Sequence, residues 1–177
     1  MEKYRELLKL ARDSIGSKLD GSDLVVLDEI KKKFSEDGAC FVTLTLNGDL
    51  RGCIGSLEAH QLLYLDIIDN AIGSAFRDPR FNPLTEEELG MIKIEVSVLT
   101  KPEKLGKGSL VFDKIDKNMG IILKKGLCSS TFLPQVWEQI SSKDEFLKHL
   151  SMKAGLDADS WKDAELWFYR VEKVCEE

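Results

Sequence analysis

The stretch Leu46–Ser56, LNGDLRGCIGS, gathers the residues of this chain best suited to chemistry. Cys53 is a thiol with a cation, Arg51, two positions before it and glycines at 52 and 55. A cysteine reacts as its thiolate, which needs a cation, backbone N–H groups or a base nearby. Arg51 offers the cation. Gly52 and Gly55 leave the backbone open to close approach, and their N–H groups could face an oxyanion. His60 is the nearest candidate base. Cys53 and His60 are therefore the candidate catalytic residues, with Cys53 as nucleophile or redox thiol and Arg51 as anion clamp. The same residues suit a binding site, with Arg51, Gly52 and Gly55 receiving a carboxylate or phosphate. Binding asks for fewer partners than catalysis and is the first expectation. Plainer roles exist for each residue. Cysteine is a common core residue, Arg51 could pair with a neighbouring acid, and glycines can simply bend a strand.

The elements around this stretch set its geometry. Asn47-Gly48 suits a type I′ hairpin turn, whose two central residues take positive φ. A two-residue turn sets Leu46 opposite Asp49, Leu44 opposite Arg51 and Val42 opposite Cys53. Arg51 and Cys53 then share a face with Leu44 and Val42, while Ile54 points away with Phe41. Apolar spacing predicts a helix over 3–15, ended by Gly16, and another over 24–34 with Leu27, Ile30 and Phe34 inward. A third, over 61–76, lines Leu65, Ile68, Ile72 and Phe76 on one face and turns Asp66 and Asp69 outward. In the connector after it, DPRF at 78–81 reads equally as a functional segment and as a turn in which Asp78 and Arg80 fix each other and Phe81 anchors the loop. Thr85 and Glu88 form a capping box. MIKIEVSVLT, 91–100, alternates as a half-buried strand.

The second half repeats this order loosely. It reads as a hairpin turning at Gly126, a capping box at Ser142 and Glu145, and a helix with Phe146, Leu147 and Leu150 inward. Gly155 stops that helix, and AELWFYRVEKV, 164–174, forms one last strand. The chain is read as a single domain over 1–177, with N-terminal helices over 1–37, a first lobe over 38–100 and a second over 101–177.

Composition narrows the functional classes. The 177 residues are 43% apolar and carry 25 Lys and Arg against 31 Asp and Glu, a net charge of −6. An acidic chain lacks the basic footprint of a nucleic-acid binder. No apolar run approaches the roughly 20 residues that span a bilayer, and the charged N-terminus is not a signal peptide. Cys40, Cys53, Cys128 and Cys175 show no C-x-x-C spacing, so they read as reduced thiols of a cytoplasmic protein without a metal site or cofactor.

LRGCIGSLEA at 50–59, AFRDPRFNPLTEEEL at 75–89 and IEVSVLT at 94–100 together closely resemble the AMMECR family. FLPQV at 132–136 and FLKHLSMKAGLDADSW at 146–161 extend the match. Bacterial and archaeal members are called AmmeMemoRadiSam system protein A, and LRGCIG, Leu50–Gly55, is the family signature. The resemblance implies an α+β fold of two pseudo-symmetric hairpin–helix–strand repeats around a shared curved, barrel-like sheet. It also implies work alongside Memo-like and radical-SAM proteins, with the LRGCIG face binding a ligand or partner. Many prokaryotic members have RSGLFLPQV where this chain has LCSSTFLPQV, so no role is carried over to residues 128–130.

Overall fold

The computed structural model describes residues 2–177, and Met1 lies outside them. The chain divides into two units. One runs to Leu99 and takes in Glu172–Glu177; the other is Thr100–Val171.

The first unit opens with helix α1 (Arg5–Asp20), which buries Leu7, Leu8, Leu10, Ala11 and Ile15. The helix runs through Gly16 and ends at Gly21, with φ 72°. A glycine inside a helix costs only about 1 kcal/mol, whereas the residue after the end needs the left-handed conformation. The stop expected at Gly16 therefore falls at Gly21. Helix α2 (Asp28–Lys33) is shorter than the expected 24–34. Ile30 and Phe34 are buried, but Leu27 is exposed, because residues 22–27 are not helical.

Strands β1 (Asp37–Leu46) and β2 (Asp49–Gly55) form the hairpin. Its turn is the expected one, with φ 53° at Asn47 and 91° at Gly48. The short β3 (Gln61–Leu62) pairs with the start of β1. Helix α3 (Leu63–Phe76) follows, then α4 (Glu86–Leu89) and β4 (Ile92–Leu99). β4 pairs antiparallel with β1 along its whole length. The last strand, β9 (Val171–Cys175), completes a sheet of order β2-β1-β4-β9. Cys40, Val42, Leu44, Ile94, Val96 and Val98 share one core with the buried residues of α1 and α3. Arg12 fastens α1 to this sheet: its guanidinium takes both Glu176 oxygens, at 2.7 and 2.5 Å, and the carbonyls of Leu89 and Ile92.

Helix α3 corrects the expected facing. Its buried stripe is Leu63, Asp66, Ile67, Asn70, Ala71 and Ser74, while Leu65 is exposed and Ile68, Ile72 and Phe76 are half-buried. Asp66 points inward because it satisfies the chain around Cys40 and Ser56; Asp69 points outward, as expected, to Arg77. Burying a polar group is tolerable only when its hydrogen bonds are made, and hydropathy alone cannot reveal that they are.

The second unit contains β5 (Glu103–Lys107), α5 (Gly108–Val111), β6 (Gly120–Lys125), β7 (Cys128–Phe132), α6 (Lys143–Lys153) and β8 (Glu165–Tyr169). Its sheet has the order β5-β8-β6-β7. The hairpin turns at Gly126, φ 59°, and Gly155, φ 76°, follows α6. Phe146, Leu147 and Leu150 lie in the core with Ile121, Leu123 and Leu166. Trp137 stacks on Phe146 at 3.6 Å. At the α6 N-terminus the Ser142 hydroxyl accepts the Glu145 N–H, 3.4 Å.

The protein is thus a mixed α/β fold with two separate antiparallel sheets, not one shared barrel-like sheet. In each half, the strand after the helix pairs with its own hairpin, so each ladder closes locally. The expected single strand over 164–174 is two strands, β8 and β9, in different sheets. The break is at Arg170, whose N–H donates to Thr100 Oγ1 at 2.9 Å instead of continuing a ladder.

Candidate functional site

The hairpin pairs as expected only near its turn. Leu46 faces Asp49 and Thr45 faces Leu50; then the register slips, and Leu44 faces Gly52, Thr43 faces Cys53, and Val42 faces Ile54. Arg51 is the extra residue of a β-bulge. A bulge displaces every later side chain by one, which turns it to the opposite face. Gly52 and Ile54, not Arg51 and Cys53, therefore lie alongside buried Leu44 and Val42. Cys53 is half-buried opposite Thr43, whose hydroxyl donates to Sγ at 3.3 Å.

The two glycines are explained by close packing. A Cβ on Gly52 would sit 2.1 Å from the Ser74 carbonyl oxygen of α3. One on Gly55 would sit 2.3 Å from the Phe41 ring, its cross-strand partner. An aromatic laid over a cross-strand glycine fills the space a side chain would take.

Arg51 is mostly enclosed and already paired. Its Nε and Nη2 donate to the two Glu88 oxygens at 2.8 and 2.9 Å, and Nη2 also reaches the Asn82 carbonyl. Glu88 completes the predicted capping box by accepting the Thr85 N–H at 3.0 Å, while Thr85 Oγ1 accepts the Glu88 N–H. The Arg51 bonds, then the Thr85 bonds, hold the Glu88 carboxyl down at about 2 against burial, which opposes them. Arg51 Nη1 is buried without a hydrogen-bond partner among the described residues, and the Phe81 ring lies 5.8 Å from the guanidinium carbon.

The cation beside Cys53 is Arg80 instead. Asp78 is buried, and its Oδ2 accepts the Cys53 N–H at 2.8 Å. The same carboxylate takes Arg80 Nε at 3.0 Å and Nη2 at 2.7 Å. Arg80 Nη2 also lies 3.4 Å from the Cys53 carbonyl. The Arg80 bonds hold the Asp78 carboxyl far below the usual carboxylate range. Arg80 is in turn held charged by its bonds to Asp78. Its side chain remains 54% exposed. Arg51, Arg80, Phe81, Asn82, Pro83, Thr85 and Glu88 line an open cavity of about 450 Å³. The turn read in DPRF is present, and it delivers the cation beside Cys53 that Arg51, bonded to Glu88, does not.

His60 is placed elsewhere. Its Nδ1 lies 3.2 Å from the Glu58 carbonyl and its Nε2 3.9 Å from Asp66. No hydrogen bond joins it to the Cys53 thiol among the described residues. Asp66 is fully buried and accepts from the Cys40 N–H, Ser56 Oγ, Gln61 Nε2 and Asn70 Nδ2. Burial and then Asp66 push the Cys40 thiol well above its ordinary value. Asp66, Asn70 and Ser74 recur every fourth residue within an apolar helix. That spacing was the sequence signal for a buried polar stripe. Among the described residues, no group of three or more His, Cys, Asp and Glu could hold a metal ion. Among the described residues, no helix is long and apolar enough to cross a membrane.

These features define a mixed α/β protein whose first hairpin is braced by two arginine–carboxylate pairs. The chain belongs to the AMMECR1 family, which matches residues 8–174. It is 41% identical over 172 residues to a protein of Nanoarchaeum equitans, covering 94% of this chain and 95% of that one. It is 40% identical over 173 residues to one of Methanosarcina acetivorans, covering 93% and 87%. The crystal structure of the uncharacterized protein PH0010 from Pyrococcus horikoshii is similar at TM-score 0.79 and 35% identity, covering 99% of this chain and 92% of that chain.

Proposed function

We propose that the protein is a binding module whose LRGCIG face, Leu50–Gly55, receives a small anionic ligand or an anionic group on a partner. One observation carries this reading. The half-exposed Arg80 guanidinium is fixed by a buried carboxylate that also holds the Cys53 N–H. A cation oriented in advance binds an anion with less ordering cost. Arg80 is the contact; Arg51 is a positioning residue that supports the cavity wall through Glu88 and Phe81; Gly52 and Gly55 let α3 and Phe41 hold the strand. In a thermal-shift titration, inorganic phosphate and succinate serve as probes. At least one should raise the midpoint of the wild type and not of Arg80→Gln. An equal rise in both proteins, or none in either, would overturn the proposal.

A second reading makes Cys53 a nucleophile, favoured by the Thr43 hydroxyl on Sγ and by Arg80 Nη2 lying 3.4 Å from the Cys53 carbonyl. Iodoacetamide should then alkylate Cys53 in the folded protein before Cys175 and long before Cys40. Burial and then Glu95 push the Cys175 thiol up, and Cys40 is buried. Protection of Cys53 until denaturation removes this reading.

The family resemblance supports extending the proposal to Memo-like and radical-SAM partners in the cytoplasm. A tagged wild-type protein should co-purify with them when they are co-expressed, and Arg80→Gln should not.

A further inference from the structure

A larger cavity, about 700 Å³, lies along α1 in the first unit and shares no lining residue with the hairpin site. Its apolar lining includes Leu10, Leu24, Val26, Ile30 and Leu89. One border is the non-helical segment before α2, whose side chains alternate: Leu24 and Val26 are half-buried, while Val25 is 80% and Leu27 62% exposed. That is the period-two pattern of a strand with one face covered. Yet the peptide groups of residues 23–26 make no hydrogen bond within the described chain. Exposed strand edges are usually blunted by lysine or proline, and GSDLVVL, 21–27, contains neither.

Charge identifies the occupant. Glu6, Asp13, Asp20, Asp23 and Glu29 line the cavity against Lys9 and Arg12. Lys9 is spent on Asp13, and Arg12 on Glu176 and two carbonyls. Glu6 is matched by Lys33. The Ser22 hydroxyl, then its N–H at 2.8 Å, holds the Asp20 carboxyl below its ordinary value. Asp23 and Glu29 pair with no base among the described residues. A second copy docked here by two-fold symmetry would set these carboxylates against themselves.

We propose that the 23–27 edge takes a strand of a partner protein, an extended segment in which apolar residues alternate with lysine or arginine. Its backbone would pair with the unpaired peptide groups, its apolar residues would cover Val25 and Leu27, and its cations would meet Asp20, Asp23 and Glu29. The proposal is independent of the hairpin site. The probe is a fluorescein-labelled heptapeptide alternating lysine and valine, read by anisotropy at low salt. It should bind the wild type and bind the Val25→Asn/Leu27→Asn double variant, which removes the apolar cover without changing the charge, at least about tenfold more weakly. Because both side chains are exposed, the variant should keep its circular dichroism and thermal midpoint. A glutamate–valine peptide and a backbone N-methylated lysine–valine peptide should fail to bind. Asp20→Asn/Asp23→Asn should weaken binding and flatten its salt dependence. Equal binding by the double variant, the acidic peptide or the N-methylated peptide would overturn the proposal. So would sedimentation showing a wild-type dimer that the double variant lacks, since the occupant would then be a second copy.

Discussion

Arg51 shows how a residue chosen for its chemistry can have that chemistry spent on architecture. Its fork grips Glu88, and Glu88 at the same time caps α4. Arg51→Lys keeps the charge but loses the two-point geometry; it should cost about 1–2 kcal/mol in chemical denaturation. The Glu88 carboxyl lies at about 2 in the folded protein against an ordinary 4.5. A lowered folded value stabilises above the ordinary value and is lost as pH falls through the folded one. The stability difference between wild type and Glu88→Gln should thus be constant at neutral pH and shrink between pH 4.5 and about 2. Asp78 supports more than one neighbour. Asp78→Ala strands the Cys53 N–H and frees Arg80, and denaturant titration should show a loss of about 3 kcal/mol.

At the scale of elements, α3 can approach the hairpin because Gly52 offers no side chain to the Ser74 carbonyl. Gly52→Ala should force the helix off the strand and lower stability by about 3 kcal/mol or more, read from the thermal midpoint. Gly48→Ala, at a turn with open space around it, should cost only about 1 kcal/mol of backbone strain. If the two substitutions cost the same, Gly52 is conformational rather than a packing residue. The bulge at Arg51 belongs to this scale as well. It reverses Cys53 from the core face to the Thr43 face, and no count of residues from the Asn47-Gly48 turn reveals it.

At the scale of the molecule, the chain hands its strands between sheets. β5 follows β4 directly but joins β8, and β9 follows β8 but joins β4. The final residues therefore stabilise the unit built first. Deleting Glu172–Glu177 removes most of β9 and the Glu176 carboxylate that anchors Arg12. Hydrogen exchange should show amide protection falling in α1 and β4 and persisting in β6 and α6. Equal loss in both units would mean that they unfold as one.

Local signals in the sequence determined much of this protein. Asn47-Gly48 set the turn, Thr85 and Glu88 set the cap, and Asp78 with Arg80 set the loop, because each depends on residues a few positions apart. Alternation over 91–100 placed Ile92, Ile94, Val96 and Val98 inside, whereas Ser97, expected to point outward, is buried too, because the C-terminal half of β4 is covered on both faces. The linked motifs identified the family. Only the tertiary structure decided that Asp66 turns inward, that Glu88 occupies Arg51, that Arg80 stands by Cys53, and that 164–174 serves two sheets. Those outcomes join positions distant in sequence through hydrogen bonds and close packing, and hydropathy carries no record of which distant group satisfies which.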